Sequence, residues 1–131
     1  MISFERSKIM PPVAQDALRK LYTCTAFSDG YAFQVGATLK EILSQNDKYS
    51  SELKKVIESL ADKDEKGVPI VSENQYKMTE ENQAMAMEAT KVSYENIITV
   101  SRPRLHLSKL APAALSAVEY ATIDFLIDEE K

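Results

Sequence analysis

Apolar and polar residues alternate along this chain with two different spacings, and these spacings predict the order of its elements. The alternation in "ISFER" (2–6) predicts a short strand. Apolar residues three and four positions apart in "PPVAQDALRKLY" (11–22) predict a helix whose first turn holds the two prolines. A much longer periodic stretch follows, and it predicts a helix over 30–61 that is capped by Ser28 or Asp29.

The predicted long helix carries one unbroken stripe in which the spacing alternates between four and three residues, as in heptads. The stripe consists of Val35, Leu39, Ile42, Asn46, Tyr49, Leu53, Val56 and Leu60. Two structures fit: a helix lying on its own domain's core, or a coiled coil between chains with the polar Asn46 setting the register. Leu43 and Ile57 widen the stripe, so we expect packing within the chain, open to bundling with copies of itself.

Four further elements are predicted after the long helix. "VPIV" (68–71) and "QYKM" (75–78) suggest a short hairpin, and a helix begins at a Thr79 cap and continues to 96. A β-branched stretch over 97–107 predicts a strand, and the segment 111–130 predicts a closing helix. The order β-α-α-β-β-α-β-α predicts one α+β domain over 1–131. Its four helices, one of them long and central, would pack on a small, mostly antiparallel sheet.

Two of these elements carry finer expectations. In the third helix, Met85, Ala89 and Val92 share a face that we expect to be buried, with Met87 partly exposed. In the strand over 97–107, Pro103 has no N–H to donate, so the strand should lie at a sheet edge or bend there.

Composition and charge narrow the class of protein. An apolar fraction of 44% and a charged fraction of 27% are typical of a folded soluble domain. The formal net charge of -4 makes nucleic acid an unlikely partner, because phosphate contacts need a basic surface. The sequence has no apolar run of about 18 residues, so no membrane span is predicted. Charged residues at positions 5, 6 and 8 do not fit a signal peptide, and the single Cys24 suits a reducing compartment.

Groups that could carry chemistry are sparse. His106 is the only histidine, Cys24 lies in no reactive motif, and the glycines at 30, 36 and 67 are isolated and form no phosphate loop. The sequence therefore predicts no catalytic, cofactor-binding or metal-binding residues, and we expect a protein that is not an enzyme.

The segment 62–73 resembles a calcium loop in part. Asp62, Asp64, Gly67 and Glu73 occupy its positions 1, 3, 6 and 12. Position 5, however, is Lys66, which brings an ammonium group where a ligand oxygen is needed. A strand, and not the exiting helix of the motif, is predicted to follow. The sequence favours a solvated turn.

Seven residues are candidates for interaction with a partner. Asn46 and Tyr49 belong to the stripe, and Met87 has a soft side chain that suits adaptable interfaces. The basic segment "SRPRLHLSK" (101–109) could contact an acidic partner or a phosphate, although a solvated edge fits it as well. The candidates are Asn46, Tyr49, Met87, Arg102, Arg104, His106 and Lys109.

The order of segments resembles that of small proteins of unknown function encoded by tailed bacteriophages and prophages. The resemblance is carried by the "VAQDALRKL" helix, the long helix ending in "DKDEKG", the "GVPIVSENQYKMTEEN" hairpin and the "IITVSRPRLHLSKL" strand. The closing helix after Ala111 departs from it, being longer and more apolar. The resemblance provides no catalytic residues to carry over.

The resemblance implies a bacteriophage protein. The unbroken stripe with Asn46, the edge-like strand at Pro103 and the absence of catalytic groups lead us to expect that it is non-enzymatic and acts through protein–protein interaction. We expect a homo-oligomeric virion or assembly component, located in the virion or the host cytoplasm, that binds itself and a phage or host protein. The alternative is a phage-encoded inhibitor of a bacterial defence system, acting as a protein binder or as a sponge for a signalling nucleotide. A sponge would need Arg102, Arg104 and Lys109 gathered in a pocket between subunits.

Overall fold

The computed structural model of the protein describes residues 2–129. Within that range the chain forms four α-helices, six short strands and four single 3-10 turns. The helices are α1 (Pro12–Thr23), α2 (Asp29–Leu60), α3 (Glu80–Tyr94) and α4 (Ala117–Thr122). The strands are β1 (Ile2–Glu5), β2 (Val71–Ser72), β3 (Gln75–Tyr76), β4 (Ile97–Val100), β5 (Leu105–His106) and β6 (Ile127–Asp128). The 3-10 turns are Arg6–Ile9, Leu107–Lys109, Ala111–Ala113 and Asp124–Leu126.

The strands form three separate pairs. β1 and β4 are antiparallel, with Phe4 opposite Ile98, and β2 and β3 form an antiparallel hairpin. β5 and β6 are parallel, with Leu105 opposite Ile127. The α+β class is confirmed, with one long helix and small, mostly antiparallel sheets of short strands.

The core lies at one end of α2. Its N-terminal half supplies five buried residues, Tyr31, Val35, Thr38, Leu39 and Ile42, which pack with α1, the β1–β4 pair and the C-terminal segment. Beyond Ile42, no residue of α2 is fully buried. The C-terminal half of α2 instead pairs with α3, in which Ser93 is the buried residue. The two helices are antiparallel there, because Asn82 Nδ2 donates to the Leu60 carbonyl while Ser93 reaches Arg6 beside Ser50. The pair extends away from the core.

The closing helix is confirmed as α4, but its predicted bounds of 111–130 were wrong; residue 130 lies outside the described residues. Ala114 adopts a left-handed conformation (φ 55°), which ends the 3-10 turn that holds Pro112. Ser116 then starts α4 through a capping box with Glu119, and the helix ends after six residues. The chain returns in β6 beside β5.

The strand predicted over 97–107 is divided into β4 and β5. Residues 101–104, which include Pro103, lie between the two strands and bend the chain, as the missing proline N–H led us to expect. The hairpin strands are also shorter than predicted. Each has two residues, and one further main-chain hydrogen bond joins the Lys77 N–H to the Ile70 carbonyl at 2.9 Å.

The buried stripe predicted for α3 was wrong as well. Met85 and Val92 are 53% and 54% exposed. Both line a groove beside α2, and no other element of residues 2–129 covers it.

Candidate interaction site

An apolar groove runs between the C-terminal half of α2 and α3, with a volume of about 660 Å³. Its apolar lining, which we call the α2/α3 face, consists of Tyr49, Leu53, Val56, Leu60, Met85, Ala89 and Val92. The α2 members are the last four positions of the heptad-like stripe. They are spaced by four, three and four residues, as the positions of a helix–helix seam are.

The α2/α3 face remains exposed to a degree that is unusual for such large apolar side chains. Val56 is 44% exposed, and Met85 and Val92 exceed half. Glu52 and Glu88 place carboxylates at its rim. A contiguous apolar surface with a polar rim is typical of an interaction site.

The total surface of the chain leads to the same conclusion. The accessible surface is 8623 Å², for a mass of 14.7 kDa. A compact monomer of that mass exposes about 6,900 Å², so this chain exposes roughly 1,700 Å² more. A standard protein–protein interface takes about 800 Å² from each partner, and the surplus is large enough to provide that area.

Arg6 fixes the projecting helix pair to the core. Its side chain is 2% exposed, and its guanidinium donates from three nitrogens to neutral oxygens. Nε donates to Asn46 Oδ1 at 2.7 Å, one terminal nitrogen donates to Ser93 Oγ at 2.7 Å, and the other donates to Ser50 Oγ. The main-chain N–H of Arg6 also donates to the Asn96 carbonyl at 2.8 Å. This one residue thus joins the 3-10 turn after β1 to α2 and α3.

The charge on Arg6 has no acidic partner within ion-pair distance among residues 2–129. Its guanidinium lies 5.1 Å from the centre of the Tyr94 ring. Loss of hydration lowers the pKa of Arg6, and the neighbouring Tyr94 opposes this shift. The guanidinium stays charged, because arginine does not lose its proton in proteins.

Sequence reasoning missed Arg6 as a buried group, although a signal was present. Ile2, Phe4 and Arg6 occupy the same phase of the β1 alternation, and the first two are buried. The alternation therefore predicts that the Arg6 side chain points toward the core, and only its charge favours exposure.

The predicted interaction residues do not form one site. Asn46 does not line the groove and is instead the acceptor for Arg6. Tyr49 does line it, and its hydroxyl donates to the Ile97 carbonyl at 2.9 Å. Met87 is 75% exposed and lies beside Thr90 and Tyr94 in a different depression.

The four basic candidates lie elsewhere, near the N-terminal half of α2. Arg102, Arg104 and His106 line a cavity of about 280 Å³. The Arg104 Nε donates to the Phe125 carbonyl at 3.1 Å, and the Arg102 guanidinium lies 5.5 Å from the centre of the Phe33 ring.

Two of these candidates meet at Tyr31. The main-chain N–H of His106 donates to the Tyr31 hydroxyl at 2.9 Å, and the Lys109 Nζ lies 5.3 Å from the centre of its ring. Lys109 does not line the cavity that Arg102 and Arg104 share. A single chain therefore brings two of the three nucleotide-sponge residues together.

The calcium-like segment uses its oxygens within the loop. The Asp64 carboxylate accepts the main-chain N–H groups of Lys66 and Val68, at 2.9 and 3.0 Å. Glu73 lies in the β2–β3 turn at a φ of 52°. Within residues 2–129, no three acidic, His or Cys side chains are grouped as a metal ion would need.

Comparison of the chain with protein-family models, with curated proteins and with solved structures found no match. No helix within the described part of the chain is both long and apolar enough to cross a bilayer.

Proposed function

We propose that this chain is a non-enzymatic protein that acts through protein–protein interaction, and that it binds a second copy of itself through the α2/α3 face. The observation that carries the proposal is the uncovered groove, in which Val56, Met85 and Val92 are each at least 44% exposed. Burying such side chains stabilises a complex by about 25 cal/mol for each Å² of apolar surface.

A second copy would bring a helix pair of the same length to this surface. The α3 helix has 15 residues, and the facing part of α2 has a similar length, which gives a flat helix pair roughly 22 Å long. Two such pairs stacked face to face form a four-helix bundle. A two-fold axis would place the same residues on both sides, so that each copy covers the groove of the other.

The biological role that agrees best with such self-association is that of a homo-oligomeric virion or assembly component of a bacteriophage. The phage origin is supported by the resemblance in segment order alone. On this proposal the chain is located in the virion or the host cytoplasm, and the oligomer would present its remaining surfaces to a phage or host protein.

Mass measured by light scattering behind a sizing column, over a hundredfold range of concentration, tests the self-association. We expect a mass above the 14.7 kDa of one chain, rising with concentration. Met85→Lys places a charge in the groove and should raise the dissociation constant at least 30-fold, since a central interface residue contributes about 2 kcal/mol or more.

Met87→Lys is the matched control, because it makes the same change two positions along α3, outside the groove. It should leave the mass unchanged. Dissociation by Met87→Lys with no effect of Met85→Lys would assign the contact to the opposite side of α3. A single-chain mass at every concentration would overturn the proposal and make the inhibitor of a host defence system the next class to test.

A further inference from the structure

Arg6 also lines a further cavity, of about 350 Å³. Three apolar side chains, Met10, Leu53 and Ile57, form part of its wall. Tyr76 and Tyr94 supply aromatic rings, and Lys54 supplies a second positive charge. The cavity therefore combines a buried guanidinium, a lysine and an apolar wall.

The protein does not use every hydrogen-bond donor of the Arg6 guanidinium. Arginine has five N–H donors, and three of the Arg6 nitrogens make one side-chain bond each. All three acceptors are neutral, whereas a buried charge is usually paired with an opposite charge. An anion that enters the cavity would supply the missing charge, and the planar fork of arginine matches a carboxylate.

Glu58 balances only part of the positive charge of Lys54. Glu58 Oε1 lies 3.9 Å from the Lys54 Nζ, and both groups are on the surface of α2. The same oxygen accepts the Tyr76 hydroxyl at 3.1 Å, and Glu58 does not itself line the cavity. The Lys54 side chain is 69% exposed and lines the cavity, so it remains available to a ligand there.

We propose that this cavity binds a carboxylate carried on an apolar body, with Arg6 and Lys54 contacting the carboxylate and the Met10, Leu53 and Ile57 side chains contacting the body. The apolar wall favours such a ligand over inorganic phosphate, which has no apolar surface to bury. The carboxylate could belong to a free organic acid or to the C-terminus of a peptide that ends in an apolar residue. The site shares Leu53 with the α2/α3 face, and its other lining residues lie outside that face.

Nuclear magnetic resonance of the ¹⁵N-labelled full chain provides a direct readout at the Arg6 Nε–H. We expect hexanoate to shift this signal saturably and hexanamide, which lacks the charge, to leave it unchanged. Lys54→Gln should weaken hexanoate binding about two- to fivefold, the range typical of one exposed ion pair. Lys55→Gln is the matched control, since Lys55 is the exposed neighbour that does not line the cavity.

A second titration distinguishes a free organic acid from the C-terminus of a peptide as the source of the carboxylate. Binding of acetyl-Gly-Gly-Leu with a free C-terminus, tighter than hexanoate and lost on amidation, would assign the site to peptide ends. Tighter binding of hexanoate would assign it to free acids. Equal shifts with hexanoate and hexanamide, a response to phosphate alone, or no saturable shift would each overturn the proposal. Because none of these measurements uses an Arg6 variant, they do not depend on whether such a variant folds.

Discussion

The Arg6 Nε–H donates a 2.7 Å hydrogen bond to Asn46 Oδ1, joining the end of β1 to the middle of α2. Asn46 is the one polar position in the heptad-like stripe of α2. In a coiled coil such an asparagine would pair with its counterpart on another chain. Here its oxygen is an acceptor for a buried charge of its own chain.

Asn46→Leu should therefore lower stability without changing the oligomeric mass. The variant removes the acceptor of a buried charged N–H, and leaving such a group unsatisfied costs about 1–3 kcal/mol. Equilibrium urea unfolding measures the loss, and light scattering measures the mass. A changed mass with unchanged stability would show that Asn46 acts between chains.

Ser50→Ala tests the same cluster with a sharper control. Ser50 Oγ accepts from Arg6, whereas Ser51, the next residue of α2, is exposed. Both substitutions gain the same helix propensity, so their difference isolates the hydrogen bond. We expect Ser50→Ala to unfold with a free energy about 1–3 kcal/mol lower than that of Ser51→Ala. Equal stability of the two variants would mean that the Ser50 hydroxyl contributes nothing.

The local elements of this fold could be predicted because local signals specify them. The α2 helix, Asp29–Leu60, lies within one residue of its predicted bounds, and the Thr79 side chain accepts the Asn82 N–H as a cap should. The C-terminal segment could not be predicted, since its apolar spacing suits a helix. The interruption is a left-handed residue at Ala114, which alanine gives no reason to expect.

The candidate site was harder to predict, for a physical reason. Periodicity shows that Met85, Ala89 and Val92 share a face, but it does not show whether another element covers that face. In the described chain the three residues line one groove, as a shared face requires, and the expected burial of Met85 and Val92 is absent. Arg6 is the converse case, because its position in the β1 alternation predicts burial and its charge predicts exposure.

Glu119 should make stability depend on acid pH. Its carboxylate accepts a hydrogen bond from the Lys20 Nζ at 2.6 Å and another from the Ser116 N–H at 2.9 Å. Both bonds lower the pKa of Glu119, and the bond from Lys20 has the larger effect. A carboxyl whose pKa is lowered in the folded state contributes its full stabilisation of the fold at any pH above its ordinary pKa of 4.5. That contribution is lost as the pH falls through the pKa of the folded state.

The melting temperature of Glu119→Gln should therefore lie below that of the unmodified chain at pH 7 and approach it as the pH falls below 4.5. Glu65→Gln, in the exposed loop before β2, is the control and should follow the unmodified chain throughout. A constant gap between Glu119→Gln and the unmodified chain down to pH 2 would contradict the assignment.

Glu73→Asn should stabilise the protein. Glu73 and Asn74 are the central residues of the β2–β3 turn and have φ values of 52° and 65°. Asparagine tolerates this conformation better than glutamate, so thermal unfolding should show a gain of about 0.5–1 kcal/mol. Glu65→Asn is the control. A calcium-dependent rise in melting temperature that Glu73→Asn abolishes would instead make Glu73 a calcium ligand.

Hydrogen exchange should reveal the α2/α3 face residue by residue. Residues 46–60 and 80–94 bury little within one chain, so in dilute solution their amides should exchange faster than those of 31–42, which belong to the core. Raising the concentration to about a hundred times the dissociation constant should slow exchange in both helices roughly a hundredfold, since assembly then adds about 2.7 kcal/mol. Met85→Lys, with a dissociation constant raised at least 30-fold, should reduce this slowing to about fourfold or less, and α1 should show none. Protection that appears at 97–107 instead would move the contact from the helix pair to the β4 edge.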